Sequence, residues 1–192
     1  MKTLYLVRSA QTNFNQTHKL QGWSDSPLTL KGMNQAKALG TYFKEKGITF
    51  DYAYCSTSER ASETLELITD MPYTRYKELK ARGLGKYEGE DEKYNPIPRV
   101  DYYGDYYDVE SLTDFSRRSK DIIRRTIMPR NNHENVLIVT HKDVIINFFN
   151  EYRHRTEKEL ISEQFTPGSF IKFEVDDYIY YAKEIYYNSL NK

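Results

Sequence analysis

Thr3-Leu4-Tyr5-Leu6-Val7-Arg8-Ser9-Ala10-Gln11-Thr12-Asn13-Phe14-Asn15 decides how this chain is read. Thr3 to Val7 is an unbroken apolar and β-branched run, the pattern of a strand buried on both faces of a parallel sheet. It stops at Arg8, and a polar, loop-like stretch follows to Ser26. A strand that ends on a guanidinium carries that charge past the carboxyl edge of the sheet, where open α/β sheets form their ligand sites.

Reading onward from there, Pro27-Leu28-Thr29 opens a helical pattern with Thr29 as N-cap. Met33, Ala36, Leu39, Gly40 and Phe43 recur at helical spacing, and Gly47 is a natural stop. Phe50 to Cys55 reads as a second strand and Ser58 to Ile68 as a helix with Ala61, Leu65 and Ile68 on one face. A short strand is expected within Pro72 to Leu79. Ser111 to Ile127 predicts a helix with a basic exposed face, Val136 to Thr140 a buried strand, and His141 to Tyr152 a helix. Ser169 to Val175 and Tyr178 to Ile185 flank Asp176-Asp177 as a terminal hairpin. Strands alternating with helices argue for an α/β fold, a three-layer αβα sandwich with a mostly parallel central sheet, in one domain over residues 1–192.

Three strand ends then carry chemistry: Arg8, the Ser56 to Arg60 turn, and His141. Guanidinium groups supply fork-shaped donors and positive charge for a phosphoryl group. Strand-to-helix turns add backbone N–H groups and the positive end of a helix dipole. Two arginines and an imidazole at one sheet edge make an oxyanion pocket.

The same residues carry a resemblance. Leu6 to Asn15 resembles the signature of the histidine phosphatase (phosphoglycerate mutase-like) superfamily, in which Arg is followed by His, Gly, Glu or Gln, Thr and, three residues on, Asn. Gln21-Gly22-Trp23-Ser24-Asp25-Ser26-Pro27-Leu28-Thr29 with Gly32 and Gln35-Ala36 fits the next motif. Ser56 with Arg60-Ala61 and Thr64, Leu84-Gly85 with Tyr87-Glu88-Gly89, and Val139-Thr140-His141 follow in the family's order, from Leu4 to about Val144. The resemblance implies a phosphoglycerate mutase-like fold, phosphatase or phosphomutase chemistry, and phosphate contacts from Arg8, Asn15, Arg60 and His141.

Four positions depart from that pattern. Ser9 stands where the family has the histidine that takes up the phosphoryl group, and Ala10 replaces the following glycine. Ala81 stands where the general-acid glutamate would be, and Lys142 replaces the glycine after the last histidine. A serine hydroxyl is a weak nucleophile unless a base takes its proton. General acid catalysis contributes about 10²–10⁴-fold, and loss of a nucleophile can cost on the order of 10⁶-fold in kcat. The expectation is a protein that binds phosphate or a small phosphoester and is catalytically impaired or inactive. Two other readings stand beside it: an active phosphomonoesterase or mutase-type enzyme using Ser9 with His141 as base, and a non-catalytic protein-binding module. No third group that would orient His141 is evident. Lys142 and Arg82 read equally as phosphate ligands or as solvated charges.

Composition narrows the classes. Acidic and basic residues balance at 28 each, which gives no general pull toward nucleic acid or an anionic membrane. The single cysteine, Cys55, excludes a disulfide framework within the chain and fits a reducing cytosol, with the thiol as a small buried hydrophobe. Met1 to Arg8 is too short an apolar run for a signal peptide or a membrane span, so a cytoplasmic location is expected. His18, His133 and His154 lack ligand spacing, and neither a metal nor a cofactor is expected. Gly83 to Tyr107 holds four glycines, two prolines and six tyrosines without a period, so an insertion or lid is expected at about 83–110. Acids interleave with Tyr94, Tyr102, Tyr103, Tyr106 and Tyr107 and argue against nucleic-acid stacking. A lid over the pocket or a protein-contact surface remains. The oligomeric state is not legible.

Overall fold

Leu4 and Leu6 turn to one face of the first strand, Tyr5 and Val7 to the other, and the molecule is layered around that alternation. The computed structural model describes residues 2–96, 108–130, 134–156, 158–188 and 190. Six strands form one sheet: β1 (Lys2–Arg8), β2 (Tyr52–Ser56), β3 (Tyr73–Tyr76), β4 (Asn135–Thr140), β5 (Phe170–Asp176) and β6 (Ile179–Tyr186), in the order β3-β2-β4-β1-β5-β6. The first four run parallel, and the β5–β6 hairpin adds an antiparallel edge.

Among the described residues, five α-helices pack around it: α1 (Asn13–Gln16), α2 (Leu30–Glu45), α3 (Glu59–Ile68), α4 (Leu112–Asp121) and α5 (Lys142–Tyr152). Leu39 and Phe43 of α2 and Ala61 and Leu65 of α3 cover the Tyr5/Val7 face. Ile145, Phe148 and Phe149 of α5 cover the Leu4/Leu6 face, joined by Ile122, Ile123 and Ile127 from a π-helical turn that continues α4. Each of these Leu, Ile and Phe side chains contributes roughly 1.5–3 kcal/mol by leaving water. The expected three-layer α/β sandwich is the observed one. Among the described residues no helix is long and apolar enough to cross a membrane.

Local chemistry explains the boundaries. The Thr29 hydroxyl accepts the Gly32 N–H at 2.9 Å and starts α2, and Gly47 at φ +64° ends it. At Gly32 a Cβ would lie 2.1 Å from the Gln11 carbonyl oxygen, so only glycine lets α2 dock against the chain leaving β1. Several expectations shift. Residues 8–26 are not all loop: Thr12 caps α1, with its hydroxyl on the Asn15 N–H and the Asn15 carboxamide oxygen on the Thr12 N–H. Met33 is 39% exposed, whereas Gln35 is buried because its Oε1 satisfies the Gln11 N–H at 3.0 Å. The hairpin turns one residue later than expected, with Asp177 and Tyr178 both at positive φ, as a tight two-residue turn requires. Of the expected lid, residues 83–96 and 108–110 are described, and they hold only short 3₁₀ turns at Gly85–Tyr87 and Glu92–Tyr94. Tyr102, Tyr103, Tyr106 and Tyr107 lie outside the described residues.

Candidate functional site

Strand order brings the chemistry together. β2, β4 and β1 are neighbours, with Arg8 in register with Thr140, and Cys55 with Val139. Ser9, His141 and the Ser56 turn therefore leave the sheet side by side at its carboxyl edge. There they open a cavity of about 650 Å³, and Arg8, Ser9, Asn15, Arg60, Ala81 and His141 all line it. All six residues singled out from sequence share one wall.

The frame of this cavity is heavily bonded. Arg60, in the first turn of α3, is 3% exposed. It donates from Nη1 to the Ser24 carbonyl and to Asp25 Oδ1, both at 2.8 Å, and from Nη2 to the Gly22 carbonyl at 2.9 Å. That 22–25 loop is gripped by Glu88. Its carboxylate accepts the backbone N–H groups of Gly22 (2.9 Å), Trp23 (2.7 Å), Ser24 (3.1 Å) and Leu84 (2.9 Å), and the Ser24 hydroxyl at 2.6 Å. Burial acts to raise the Glu88 pKa, but the Ser24 hydroxyl and the backbone donors outweigh it and hold the group below the usual carboxylate range. Gly22 makes the approach possible, because a Cβ there would stand 2.3 Å from the Arg82 carbonyl oxygen and 2.6 Å from Glu88 Oε1. Asn15 lines the wall from α1, though its amide oxygen is committed to the capping box.

The floor is chemically plainer. Ser9 is tied by its N–H to the Thr140 carbonyl at 2.8 Å and is 7% exposed. The Ala10 methyl is absorbed by a small cluster with Leu28 and Ala36, while its N–H bonds the Thr64 hydroxyl at 3.0 Å. The Ala81 carbonyl accepts Trp23 Nε1–H at 3.0 Å and an Arg118 Nη2–H at 2.8 Å, so this segment is firmly placed, yet its side chain is a methyl group. A carboxyl group does stand close by. Asp143 Oδ2 accepts the Arg82 N–H at 2.6 Å, and Oδ1 accepts the Val144 N–H at 2.9 Å. Burial pushes its pKa up, against these two donors. Sequence reading missed Asp143; the available signal was an acid two residues beyond His141 in the first turn of α5.

Burial and neighbouring positive charge act together on the ionisable groups of this pocket. Burial pulls Arg8 down to about 10, with Asp143 opposing and Arg60 adding to the fall, and Arg8 still carries its charge at neutral pH. Arg8 also donates from Nη1 to the Phe165 carbonyl. Burial lowers Lys142, and the charge of Arg8 lowers it further. His141 is pushed well below the ordinary histidine value by burial and then by Arg60, Arg118, Lys80 and Arg8, so it is neutral. The expectation that nothing orients His141 is corrected. Its Nε2 lies 2.8 Å from the Ser56 hydroxyl, whose oxygen also accepts the Ser58 N–H at 3.2 Å. Arg82 is not a solvated charge: it is 3% exposed and bonds the Glu110 carbonyl at 2.8 Å. Cys55 is fully buried, as expected. Among the described residues no cluster of metal-ligating side chains is found.

Comparison with known proteins follows this geometry. The model of the histidine phosphatase superfamily (branch 1) matches residues 4–186. A 2,3-bisphosphoglycerate-dependent phosphoglycerate mutase of Parvibaculum lavamentivorans is 28% identical, covering 91% of this chain and 90% of that protein. Among solved structures, Bacillus stearothermophilus YhfR superposes with a TM-score of 0.81 at 27% identity, covering 95% of each chain. A phosphoglycerate mutase from Bacillus anthracis gives 0.81 at 27% identity, covering 95% of this chain and 91% of the other.

Proposed function

Because the chain belongs to the histidine phosphatase superfamily (branch 1), we propose that it holds a phosphate group or small phosphoester in this cavity and turns it over feebly or not at all. The observation that carries the reading is the meeting of Arg8, Arg60 and neutral His141 around Ser9. The two guanidinium groups keep N–H donors beyond those they give to the Phe165 carbonyl and to the 22–25 loop. A bound dianion would offset the burial and, after it, the neighbouring positive charge that lower Arg8 and Lys142. What is lacking is a group to take up the phosphoryl. His141 Nε2 is committed to Ser56, which speaks against its serving Ser9 as a base. No glutamate stands at Ala81 to protonate a leaving group, and Asp143 spends both oxygens on backbone donors.

The test pairs two measurements on the purified protein. Calorimetry with inorganic phosphate and vanadate should give saturable binding that Arg8→Ala weakens strongly. A phosphomonoester panel should give turnover far below that of a phosphoglycerate mutase assayed alongside. Brisk turnover abolished by Ser9→Ala would establish the enzyme reading instead. Neither binding nor turnover would discard both and leave the protein-binding module.

A further inference from the structure

Lys142 opens α5 at the rim of the cavity, next to His141 and within reach of the Arg8 charge. Its environment differs from that of the other charged groups on the same wall. Arg60 gives three N–H donors to the 22–25 loop. Arg8 is anchored on the Phe165 carbonyl. Asp143 is held by two backbone N–H groups, and Glu92 faces His18 at 3.3 Å. The Lys142 ammonium makes no hydrogen bond or ion pair among the described residues. Its three N–H donors are thus uncommitted among the described residues, on a half-buried stem, in a pocket that two guanidiniums also line. An ammonium in such a place is a mobile point charge, able to follow an anion where a planar fork fixed by its neighbours cannot.

We infer that Lys142 is the residue that sets how tightly this site holds a phosphate group: its ammonium closes over the anion seated on Arg8 and Arg60 and takes no part in phosphoryl transfer. The inference rests on the phosphate-binding reading above and adds to it a specific contact. The site becomes a clamp, with donors from Arg8 and Arg60 on one side and a cap from the first turn of α5 on the other. The helix dipole of α5 points the same way and reinforces the attraction for an anion at its N-terminus. Because burial and Arg8 both lower the Lys142 pKa, the cap releases its charge at a lower pH than a solvated lysine does.

The experiment is calorimetric titration of the full chain with inorganic phosphate at fixed ionic strength, for wild type, Lys142→Met, Lys142→Arg and Lys142→Gln. Lys142→Met should weaken binding by about tenfold or more, the worth of one charge-assisted hydrogen bond. Lys142→Arg should recover most of that loss. Repeated across pH, wild-type affinity should fall on the alkaline side, and in Lys142→Arg that fall should move to higher pH, a shift that a purely structural role would not produce. Wild-type affinity in both Lys142→Met and Lys142→Gln, with wild type still binding, overturns the clamp and leaves the phosphate-binding reading standing. No binding by wild type overturns both. Should Lys142→Met fail to fold, the Lys142→Gln and Lys142→Arg pair decides the matter.

Discussion

The frame of the cavity and its floor are built differently. Around the frame, Glu88 grips the 22–25 loop through three backbone N–H groups and a hydroxyl and also accepts the Leu84 N–H, and that loop supplies the carbonyls on which Arg60 rests. On the floor, Ser9 and Ala81 are positioned only through their backbones, and their side chains are a hydroxyl and a methyl. Binding geometry and reactive groups are therefore separable here. The carbonyls and carboxylates that hold Arg60 and the 22–25 loop make no hydrogen bond with the side chains of Ser9 and Ala81 among the described residues.

Four variants probe that separation, beginning with the largest effect. Ser9→His combined with Ala81→Glu, with Ala10→Gly if the imidazole needs room, should raise phosphomonoester turnover by at least about 10³-fold, since nucleophile and acid losses are of that order or larger. Steady-state assays and mass-spectrometric detection of a phosphoenzyme would read it. Absence of any gain would mean that the frame is not in a productive geometry. Arg8→Ala should weaken phosphate binding by about 100-fold, on the scale of a guanidinium–phosphate fork, measured calorimetrically. An unchanged affinity would move the anion site away from the β1 end.

Glu88→Ala should cost about 3 kcal/mol or more in urea unfolding, because several buried N–H groups would lose a charged acceptor together. Since the Glu88 pKa is lowered in the fold, its stabilisation is present above the usual glutamate value and is lost as pH falls through the folded value. The smallest effect concerns His141. Its folded pKa lies well below that of the unfolded chain, so the unfolded chain takes up a proton first as pH falls below about 6.5. Stability should then decline by up to about 1.4 kcal/mol per pH unit toward the folded pKa, and His141→Asn should flatten that part of the profile. Thermal unfolding across pH 4.5–7.5 would show a common slope for both proteins if the imidazole is not involved.

Much of this was legible because the signals were local. Thr3 to Val7 and Val136 to Thr140 read as buried strands from their own composition, and Thr29 and Gly47 announced the ends of α2. Arg8, Arg60 and His141 could be placed at one edge because each follows a strand. What stayed hidden depends on contacts across long stretches of chain. The Ser56–His141 bond spans 85 residues, and Asp143 meets the Arg82 N–H across 61. The burial of Gln35 likewise follows from the Gln11 amide, 24 residues away, which its side chain satisfies. The turn at Asp177-Tyr178 was misplaced by one residue because tyrosine gives no warning of a left-handed conformation.

Trp23 carries one last consequence. It is the chain's only tryptophan, its ring is 53% exposed, and its indole N–H is fastened to the Ala81 carbonyl on the cavity wall. The protein thus contains its own optical probe, seated on the Ala81 segment of the cavity lining. Emission excited selectively from that indole reports on this wall with no background from a second indole, so occupancy of the pocket can be followed in the unlabelled protein.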